Sequence, residues 1–430
     1  MLQTFVLLLA LSTTASDGIV AGLDRPITIE LDLHAVPTVQ AHSALDAMVG
    51  QGFMHGSERF FQMDLTRRHA AGELSELIGA FGVEIDRPRA VLFRRQLAAR
   101  IVKSLPQDEQ IMLDRYADGV NAGLASLDAA PIEYLNLGLE PAPWQPEDTI
   151  LVAITMTDML ARHDGNEHAN AALDALVGPT YAEWLMMQTS PYDALLIAPT
   201  EPEVVPVAPS PDEWTSRRTA FRAPLDVDDI ILGSNNFAVA GSRTVDGRAI
   251  LANDPHLLIS APAIWYRCRL EWPDHLLLGL SLPGVPGVVI GTNGHVAFGM
   301  TNTTGDFRDH VIIDVDPNDP TRYQTPDGWE PFNVRNVSIR VRGSEDVVVE
   351  SRWTRWGPVL AEDSEGRPLS VLSVPWQPGG VNVALHRMAD AMNVDDAVEV
   401  IRQWNGPSQN VLLADSSGRI AWIVSGWLPN

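Results

Sequence analysis

A proline-rich stretch near the middle of the chain limits the possible folds more than any other feature. The segment PTEPEVVPVAPSPDEW (199–214) has proline at five of its sixteen positions. Proline lacks a backbone N–H and has a fixed φ, so this segment can form neither a regular helix nor a central strand. The pattern predicts an exposed linker over residues 199–233, between two regions of different structure.

The region before the linker, residues 17–198, has helical periodicity. Ser43 and Asp46 have the spacing of a capping box, and apolar residues follow at helical intervals. Acidic residues in the first turn of the segment that begins at Gln107 suit the positive end of a helix dipole. Beyond the helix that follows Ser43, helices are predicted at 107–127, 150–161 and 167–177, the last ending at Gly178-Pro179.

The region after the linker, residues 234–430, has the alternation of β-strands. Asp246-Gly247 and Asn293-Gly294 each separate two apolar runs, as the turn of a hairpin does. A last hairpin is predicted over 411–426 and a helix over 393–406. The expected fold class is therefore α+β, with a mainly helical first half followed by a largely antiparallel sheet.

Composition and charge exclude several functions. The chain has 430 residues, enough for a sizeable core, and is 45% hydrophobic, as soluble globular proteins are. Its formal net charge of −25 argues against a nucleic-acid partner, because phosphate binding draws on clustered lysine and arginine. A single cysteine, Cys268, excludes an internal disulfide and a cysteine-based zinc site.

The N-terminus resembles a secretory signal peptide. An apolar run from Phe5 to Leu11 is followed by small residues, although no lysine or arginine precedes it. We expect residues 1–16 to be a signal peptide, which implies a periplasmic or secreted protein; a buried first strand is the alternative. No later stretch approaches the roughly 18 apolar residues of a membrane span, so stable membrane anchoring is not expected.

The stretch LGSNNFAVAG (232–241) suggests chemistry as well as a loop leading into a strand. A serine hydroxyl needs a base, and the absence of a G-x-S-x-G elbow disfavours a Ser-His-Asp triad, although Asp254 and His256 follow closely. Cleavage between Gly233 and Ser234 would free an α-amine with a pKa of about 7.7–8, which can act as that base. Glycine before the cut would tolerate strained backbone geometry.

Four motifs, in order, resemble the penicillin acylase family of N-terminal nucleophile hydrolases, which includes penicillin, cephalosporin and acyl-homoserine lactone acylases. They are GQGFMHGSERFFQMDLTRRHAAGELSELIG (50–79), GSNNFAVAGSRTVDGRAILANDPHL (233–257), PGVPGVVIGTNGHVAFGMTNTTGDFRDHVI (283–312) and NVLLADSSGRIAW (410–422). The resemblance implies an αββα sandwich and self-cleavage at Gly233-Ser234. It also implies a heterodimer of α and β chains made from one precursor.

The resemblance also assigns roles to residues of the site. Ser234 is the nucleophile and His256 an assisting histidine, whose alternative role is that of a strand-end histidine bonded to backbone. The oxyanion is held by the backbone amide of Asn302 and the side chain of Asn410, since such donors stabilise developing negative charge. The substrate-binding positions are Met159, Arg162, Leu257 and Ile290.

Two of these positions indicate the acyl group. Leu257 and Ile290 are aliphatic where acylases that accept phenylacetyl groups are aromatic. The resemblance therefore implies a small-molecule N-acyl amide substrate, such as a β-lactam or an acyl-homoserine lactone, with a flexible acyl chain favoured.

A calcium site is a further implication of the resemblance. Asp306 and Asp309 supply carboxylates, Arg308 supplies its backbone carbonyl, and Glu167 supplies a third carboxylate from the helical half. These hard oxygen ligands suit one structural Ca²⁺ per heterodimer. Without the resemblance, Asp306 and Asp309 would be interpreted as ordinary turn residues.

The expected function is that of an amide hydrolase precursor. The chain ends at AWIVSGWLPN, directly after a hydrophobic strand, whereas family members continue well beyond this point. The alternative is therefore a truncated or non-catalytic acylase-like protein that binds acyl ligands without maturing.

Overall fold

The computed structural model describes residues 20, 23–160, 170–171, 173–174, 177–186, 233–257, 259–303, 305, 307–363, 365–377 and 379–427. The predicted signal peptide and, apart from Gly233, the predicted linker lie outside these residues. So do three predicted site residues, Arg162, Glu167 and Asp306.

Helices dominate the described part of the first half, as predicted. The bounds of the helices in this half are α1 Ala44–Ala71, α2 Ser75–Ile78, α3 Val83–Ala90, α4 Arg94–Ser104, α5 Gln107–Ala125, α6 Ile132–Leu137, α7 Pro146–Leu160 and α8 Pro179–Leu185. A further helix, α9 Val394–Gln403, lies in the second half. Single 3₁₀ turns occur at Gly79–Gly82, Gly241–Arg243, Val374–Trp376 and Ala384–Asp390. Among the described helices, none combines the length and the apolar composition needed to cross a membrane.

Strands make up most of the second half. The bounds of the strands in the described residues of both halves are β1 Thr28–Leu31, β2 Pro37–Gln40, β3 Gly233–Val239, β4 Ile250–His256, β5 Tyr266–Trp272, β6 His275–Ser281, β7 Ile290–Thr292, β8 Val296–Asn302, β9 Arg308–Ile312, β10 Val315–Asp316, β11 Asp319–Thr325, β12 Gly328–Pro331, β13 Asn333–Ile339, β14 Val347–Trp353, β15 Val359–Glu362, β16 Pro368–Ser373, β17 Gln409–Asp415 and β18 Ile420–Val424. The predicted α+β class is confirmed.

The described elements form three layers around the candidate site. The central sheet has the strand order β1-β2-β5-β6-β7-β8-β17-β18 and is antiparallel except for the pair β2 and β5. Helices α1, α5 and α9 cover one face of this sheet and share a single apolar core with it. The two-stranded ribbon β3–β4 packs over strands β8 and β17.

Helices α1 and α5 cross at unusually short range, because glycines line their contact. A Cβ on Gly56 would overlap the carbonyl of Val120, and a Cβ on Gly119 would overlap that of Val49. The backbones of the two helices therefore touch along this crossing. It brings His55 of α1 beside Tyr116 of α5, both fully buried.

Local predictions hold with three differences. The Ser43 hydroxyl caps α1 by accepting from the backbone of Asp46, as predicted, but the Asp46 carboxylate accepts from the backbone of Asp24 instead of returning to Ser43. Strands β3 and β4 pair on either side of Asp246-Gly247, as predicted, but the loop that joins them is longer than a tight turn and covers residues 240–249. In this loop, Gly241 N donates to the carbonyl of Gly418. A short helix, α8, begins at Pro179, directly after the predicted helix end.

Candidate active site

Ser234 lies at the start of β3, directly after Gly233. In the β3–β4 ribbon, Gly233 pairs with His256 and Ser234 pairs with Pro255. The Ser234 hydroxyl donates to the carbonyl oxygen of Gly233 at 2.6 Å. Its oxygen therefore lies beside the carbonyl group that a cut before Ser234 would require it to attack.

Gly233 itself is not strained, in contrast to what the sequence suggested. It belongs to the extended strand β3, and a Cβ added to it would meet no atom within 4 Å. Its backbone is therefore compatible with other residues, and the special feature of this dipeptide is the serine hydroxyl rather than the glycine.

Asn253 of β4 fixes the ribbon over the central sheet. Its side-chain amide donates to the carbonyl of Met300 and accepts from the amide of Met300, both at 3.0 Å. Gly299 permits this contact, because a Cβ there would lie 2.9 Å from the Cβ of Asn253. Asn236, which pairs with Asn253, is also turned toward Gly299, and its amide has no hydrogen-bond partner among the described residues.

Ser234 opens onto a largely apolar cavity between α7, the sheet and the ribbon. Its polar lining side chains are Ser234, Asn302, Asn382 and Gln409, and none of the described lining residues is charged. The remaining lining residues are Ala153, Met156, Leu160, Pro255, Leu257, Trp265, Leu282, Val285, Pro286, Val288, Val289, Ile290, Met300, Val383, Leu385, Trp404, Gly406 and Pro407.

The structure brings two of the predicted substrate residues to this cavity. Leu257 and Ile290 line it, whereas Met159 does not and α7 contributes Met156 and Leu160 instead. Two indoles outside the predicted set, Trp265 and Trp404, also line it. Arg162 lies outside the described residues.

Asn302 and Asn410 lie on neighbouring strands, β8 and β17, at the same end of the sheet. Gln409 pairs with Asn302, and Asn410 pairs with Thr301, one residue further into the sheet. The side-chain amide nitrogen of Asn410 donates to the carbonyl of Asn302 at 3.3 Å. The side chain of Asn302 turns instead toward α7 and donates to the carbonyl of Leu160 at 2.7 Å.

His256 lies on the opposite face of the ribbon from Ser234. Side chains alternate along a strand, and His256 is paired with Gly233 rather than with Ser234. Its ring contacts the Asp254 carboxylate at 2.6 Å, and both side chains are exposed. The structure therefore does not bring His256 to Ser234, and its assisting role stays a prediction.

Residues 282–289, here called the wall segment, form one side of the cavity and are held by buried polar contacts. Gln51 of α1 both donates to the carbonyl of Gly287 and accepts from its amide, each at 2.8 Å. Gly287 has φ +89°, a value that favours glycine. The wall segment is thereby clamped to the helical layer.

A second clamp on the wall segment runs through His55. Gly284 N donates to Tyr116 Oη at 3.0 Å, Tyr116 Oη lies 2.6 Å from His55 Nδ1, and His55 Nε2 lies 3.1 Å from Ser281 Oγ. The Ser281 hydroxyl donates to the carbonyl of Tyr266, so it must accept from His55 Nε2. Nδ1 is then the acceptor for Tyr116. This arrangement requires a neutral ring, which agrees with the effect of burial, since burial lowers the pKa of His55 to about 3.

The two described members of the predicted calcium set are consecutive residues of β9. The guanidinium of Arg308 donates to the Asp158 carboxylate at 2.5 Å and to the Ser373 hydroxyl at 3.2 Å. Asp309 is exposed and points to the other face of the strand. Among the described residues no three acidic, histidine or cysteine side chains converge on a common point, but Asp306 and Glu167 are not among them.

In the described part of the chain, a serine at the start of a strand opens onto a largely apolar cavity, and sequence comparison gives the family. The profile of the penicillin amidase family matches residues 26–430, so the chain belongs to the penicillin amidase family.

Individual relatives are similar over nearly all of the chain. The penicillin acylase 2 proenzyme of Pseudomonas sp. (strain SE83) is 32% identical over 95% of this chain and 55% of its own length. The acyl-homoserine lactone acylase QuiP of Pseudomonas aeruginosa is 28% identical over 96% of this chain and 50% of its own length. This chain thus spans about half the length of the curated relatives it matches.

Among solved structures, a thermostable penicillin G acylase from Alcaligenes faecalis is similar at 25% identity. The superposition has a TM-score of 0.42 and covers 45% of this chain and 36% of that chain.

Proposed function

We propose that this chain is the precursor of an acylase that cuts its own Gly233–Ser234 bond and then uses Ser234 as an N-terminal nucleophile on N-acyl amides. The observation that carries the proposal is the Ser234 hydroxyl, which lies 2.6 Å from the carbonyl oxygen of Gly233 and also lines the apolar cavity. Membership in the penicillin amidase family supports the amide hydrolase class.

The contact between the Ser234 hydroxyl and the Gly233 carbonyl group supports the following route of maturation. The Ser234 oxygen attacks the carbonyl carbon of Gly233, the C–N bond breaks, and the hydroxyl proton passes to the Ser234 nitrogen. The resulting ester is hydrolysed by water, which leaves a carboxylate on Gly233 and a free amine on Ser234. The products are an α chain and a β chain that remain together as a heterodimer.

Catalysis reuses the same serine. The freed amine takes the proton of the Ser234 hydroxyl, whose oxygen attacks the acyl carbon of the substrate. The backbone N–H of Asn302 and the side-chain N–H of Asn410 stabilise the oxyanion, which forms at the polar end of the cavity. The proton passes to the leaving amine, and water then releases the acyl group from Ser234.

The cavity supports an aliphatic acyl group. Its described lining is free of charge, and most of it is aliphatic, including Leu257 and Ile290, although the rings of Trp265 and Trp404 also contribute. An acyl chain gains about 0.8 kcal/mol for each CH₂ buried in such surroundings. We propose medium-chain N-acyl amides as substrates; the name of the QuiP relative, an acyl-homoserine lactone acylase, agrees with an N-acyl amide but gives no chain length. A role for Arg162 on the leaving-group side stays a prediction.

Calcium and location are further parts of the proposal. Two features of β9 are compatible with a hard cation. Asp309 carries a carboxylate, and the positive guanidinium of Arg308 is turned toward Asp158 on the other face of the strand. Asp306 and Glu167 would complete a structural calcium site that joins the two halves of the chain. The apolar segment at the N-terminus supports a periplasmic or secreted protein.

Intact-mass analysis of purified protein tests the proposal. We expect two chains, the second beginning Ser-Asn-Asn-Phe, and hydrolysis of an octanoyl amide. Ser234→Ala should stay one chain and be inactive, whereas Ser242→Ala, a change to another serine eight residues later, should mature normally. Cleavage at the same bond in Ser234→Ala would contradict self-cleavage. A single wild-type chain that binds octanoyl amides without hydrolysing them would favour a non-catalytic acyl-binding protein.

A further inference from the structure

Trp422 makes a specific contact with Asn410 across the β17–β18 hairpin. Trp422 pairs with Leu412, two residues from Asn410, and its side chain lies on the same face of the sheet. The indole nitrogen of Trp422 donates to the side-chain carbonyl oxygen of Asn410 at 3.1 Å. Trp422 is not among the predicted site residues or among the residues that line the cavity.

This contact settles which way the Asn410 amide faces. An indole N–H can only donate, so it requires the oxygen of the amide, not its NH₂ group, on the side of Trp422. A flipped amide would set two donors against each other and leave both without an acceptor. The NH₂ group of Asn410 is therefore directed away from Trp422 and toward the end of β8.

Only one of the two hydrogens of the NH₂ group makes a hydrogen bond to the described residues. It donates to the carbonyl of Asn302 at 3.3 Å, longer than the usual 2.9–3.0 Å of such bonds. Asn302 also lines the cavity onto which Ser234 opens. Asn410 itself is not among the residues that line the cavity, but its NH₂ group points to the end of β8 that Asn302 occupies, so its second hydrogen would be available to an oxyanion that forms beside Asn302.

We propose that Trp422 is a positioning residue, whose indole N–H orients the Asn410 amide so that it donates to the oxyanion. This inference rests on the proposed function, because it gives Asn410 the role of oxyanion donor. Preorganised donors contribute most when they need no rotation during the reaction. Without the indole N–H, the Asn410 amide would be divided between two orientations, of which one presents oxygen to the oxyanion.

A double-mutant cycle on the full chain tests the role. Trp422→Phe removes the N–H and keeps an aromatic ring; we expect kcat for an octanoyl amide to fall about tenfold, with KM within about threefold. Asn410→Ala should lower kcat by about 10²–10³-fold. The double variant should be no slower than Asn410→Ala, since Trp422 acts only through Asn410. Trp329→Phe, an exposed indole on β12, is the matched control and should leave kcat unchanged.

The mature fraction of each variant is measured by intact mass, so that a loss of maturation is not counted as a loss of catalysis. If the wild-type protein is active and the losses of kcat caused by Trp422→Phe and Asn410→Ala multiply in the double variant, the role of Trp422 is overturned and the proposed function stays intact. An inactive wild-type protein would overturn the proposed function, and this role with it.

A spectroscopic measurement checks the hydrogen bond independently of activity. In ¹⁵N-tryptophan-labelled protein, the indole N–H resonance of Trp422 is assigned by its loss in Trp422→Phe. We expect Asn410→Ala to shift this resonance upfield and to speed its exchange with solvent. An unchanged resonance would show that the indole does not bond to Asn410 and would overturn the inference.

Discussion

His55 is a buried histidine whose protonation state follows from its neighbours. It donates to Ser281 and accepts from Tyr116, an arrangement that only the neutral ring can make. Burial lowers its pKa to about 3, whereas the unfolded chain has the ordinary value of about 6.5. The neutral ring holds the wall segment, so the shape of the cavity beside Ser234 depends on His55 remaining unprotonated.

This pKa difference predicts a loss of stability in acid. Below about pH 6.5, His55 is protonated in the unfolded chain but stays neutral in the folded protein. The free energy of unfolding therefore falls by up to about 1.4 kcal/mol per pH unit as the pH decreases toward 3. Urea unfolding of the wild type and of His55→Gln between pH 7.5 and 4.5 measures this. His55→Gln should have the shallower slope, and His34→Gln, at an exposed histidine, should keep the wild-type slope. Equal slopes in all three proteins would contradict the prediction.

Leu257 and Ile290 predict the acyl preference. We expect a higher kcat/KM for the octanoyl than for the phenylacetyl derivative of one amine, because a longer chain buries more CH₂ groups in the cavity. Ile290→Phe should shift the ratio toward phenylacetyl by about two- to tenfold, the effect of one added aromatic contact. Ile312→Phe, at an exposed strand position, should not shift it. A wild-type preference of tenfold for phenylacetyl would contradict the assignment.

Single side chains differ in how far the sequence could predict their surroundings. Leu257 and Ile290 were identified because each lies in a motif, and both do line the cavity. Trp404 and Met156 were missed, because they reach the cavity from segments whose approach depends on tertiary packing. The orientation of His256 away from Ser234 follows from strand register, which one sequence does not reveal.

Helices α1 and α5 owe their close contact to glycines on both of them. Glycine normally weakens a helix by about 1 kcal/mol relative to alanine. Gly56 and Gly119 offset that cost, because each lets the backbone of the other helix approach to contact. The apolar periodicity of α1 predicted a helix, but it did not predict that helix's partner.

Gly119→Ala should therefore destabilise the protein although alanine is the better helix former. Its methyl group would overlap the carbonyl of Val49, and we expect the free energy of unfolding to fall by about 2 kcal/mol. Asp114→Ala, on the exposed side of α5, is the control and should change stability little. Urea unfolding followed by far-ultraviolet circular dichroism measures both. A Gly119→Ala protein as stable as the wild type would show that the helices have room to separate.

Strand pairing shows which long-range features a single sequence misses. The turn pair Asn293-Gly294 predicted the β7–β8 hairpin correctly, since turn chemistry is local. The parallel pairing of β2 with β5 joins the two halves of the chain across more than 200 residues and has no local signal. The α+β class was thus predictable, whereas the order of strands in the sheet was not.

Calcium is proposed to join the two halves of the chain, near the described contact of Arg308 with Asp158. Replacing Asp306 and Asp309 together with alanine should lower the melting temperature in calcium by several degrees and abolish its dependence on EDTA. Asp314→Ala, an exposed acid nearby, is the control and should retain that dependence. Differential scanning calorimetry with and without EDTA measures the effect. Elemental analysis that finds no calcium in active, undialysed protein would contradict the site.

The pairing of Gly233 with His256 bears on how the precursor can be cut at all. A second enzyme must take its target as a separate extended segment, which here would require β3 to detach from β4. Maturation should therefore be a first-order process, with one half-time for dilute and concentrated precursor alike. A half-time that shortens as the protein concentration rises would indicate cutting of one molecule by another. If the proposed function holds, the ribbon that contains Ser234 would therefore restrict activation to an event within each molecule.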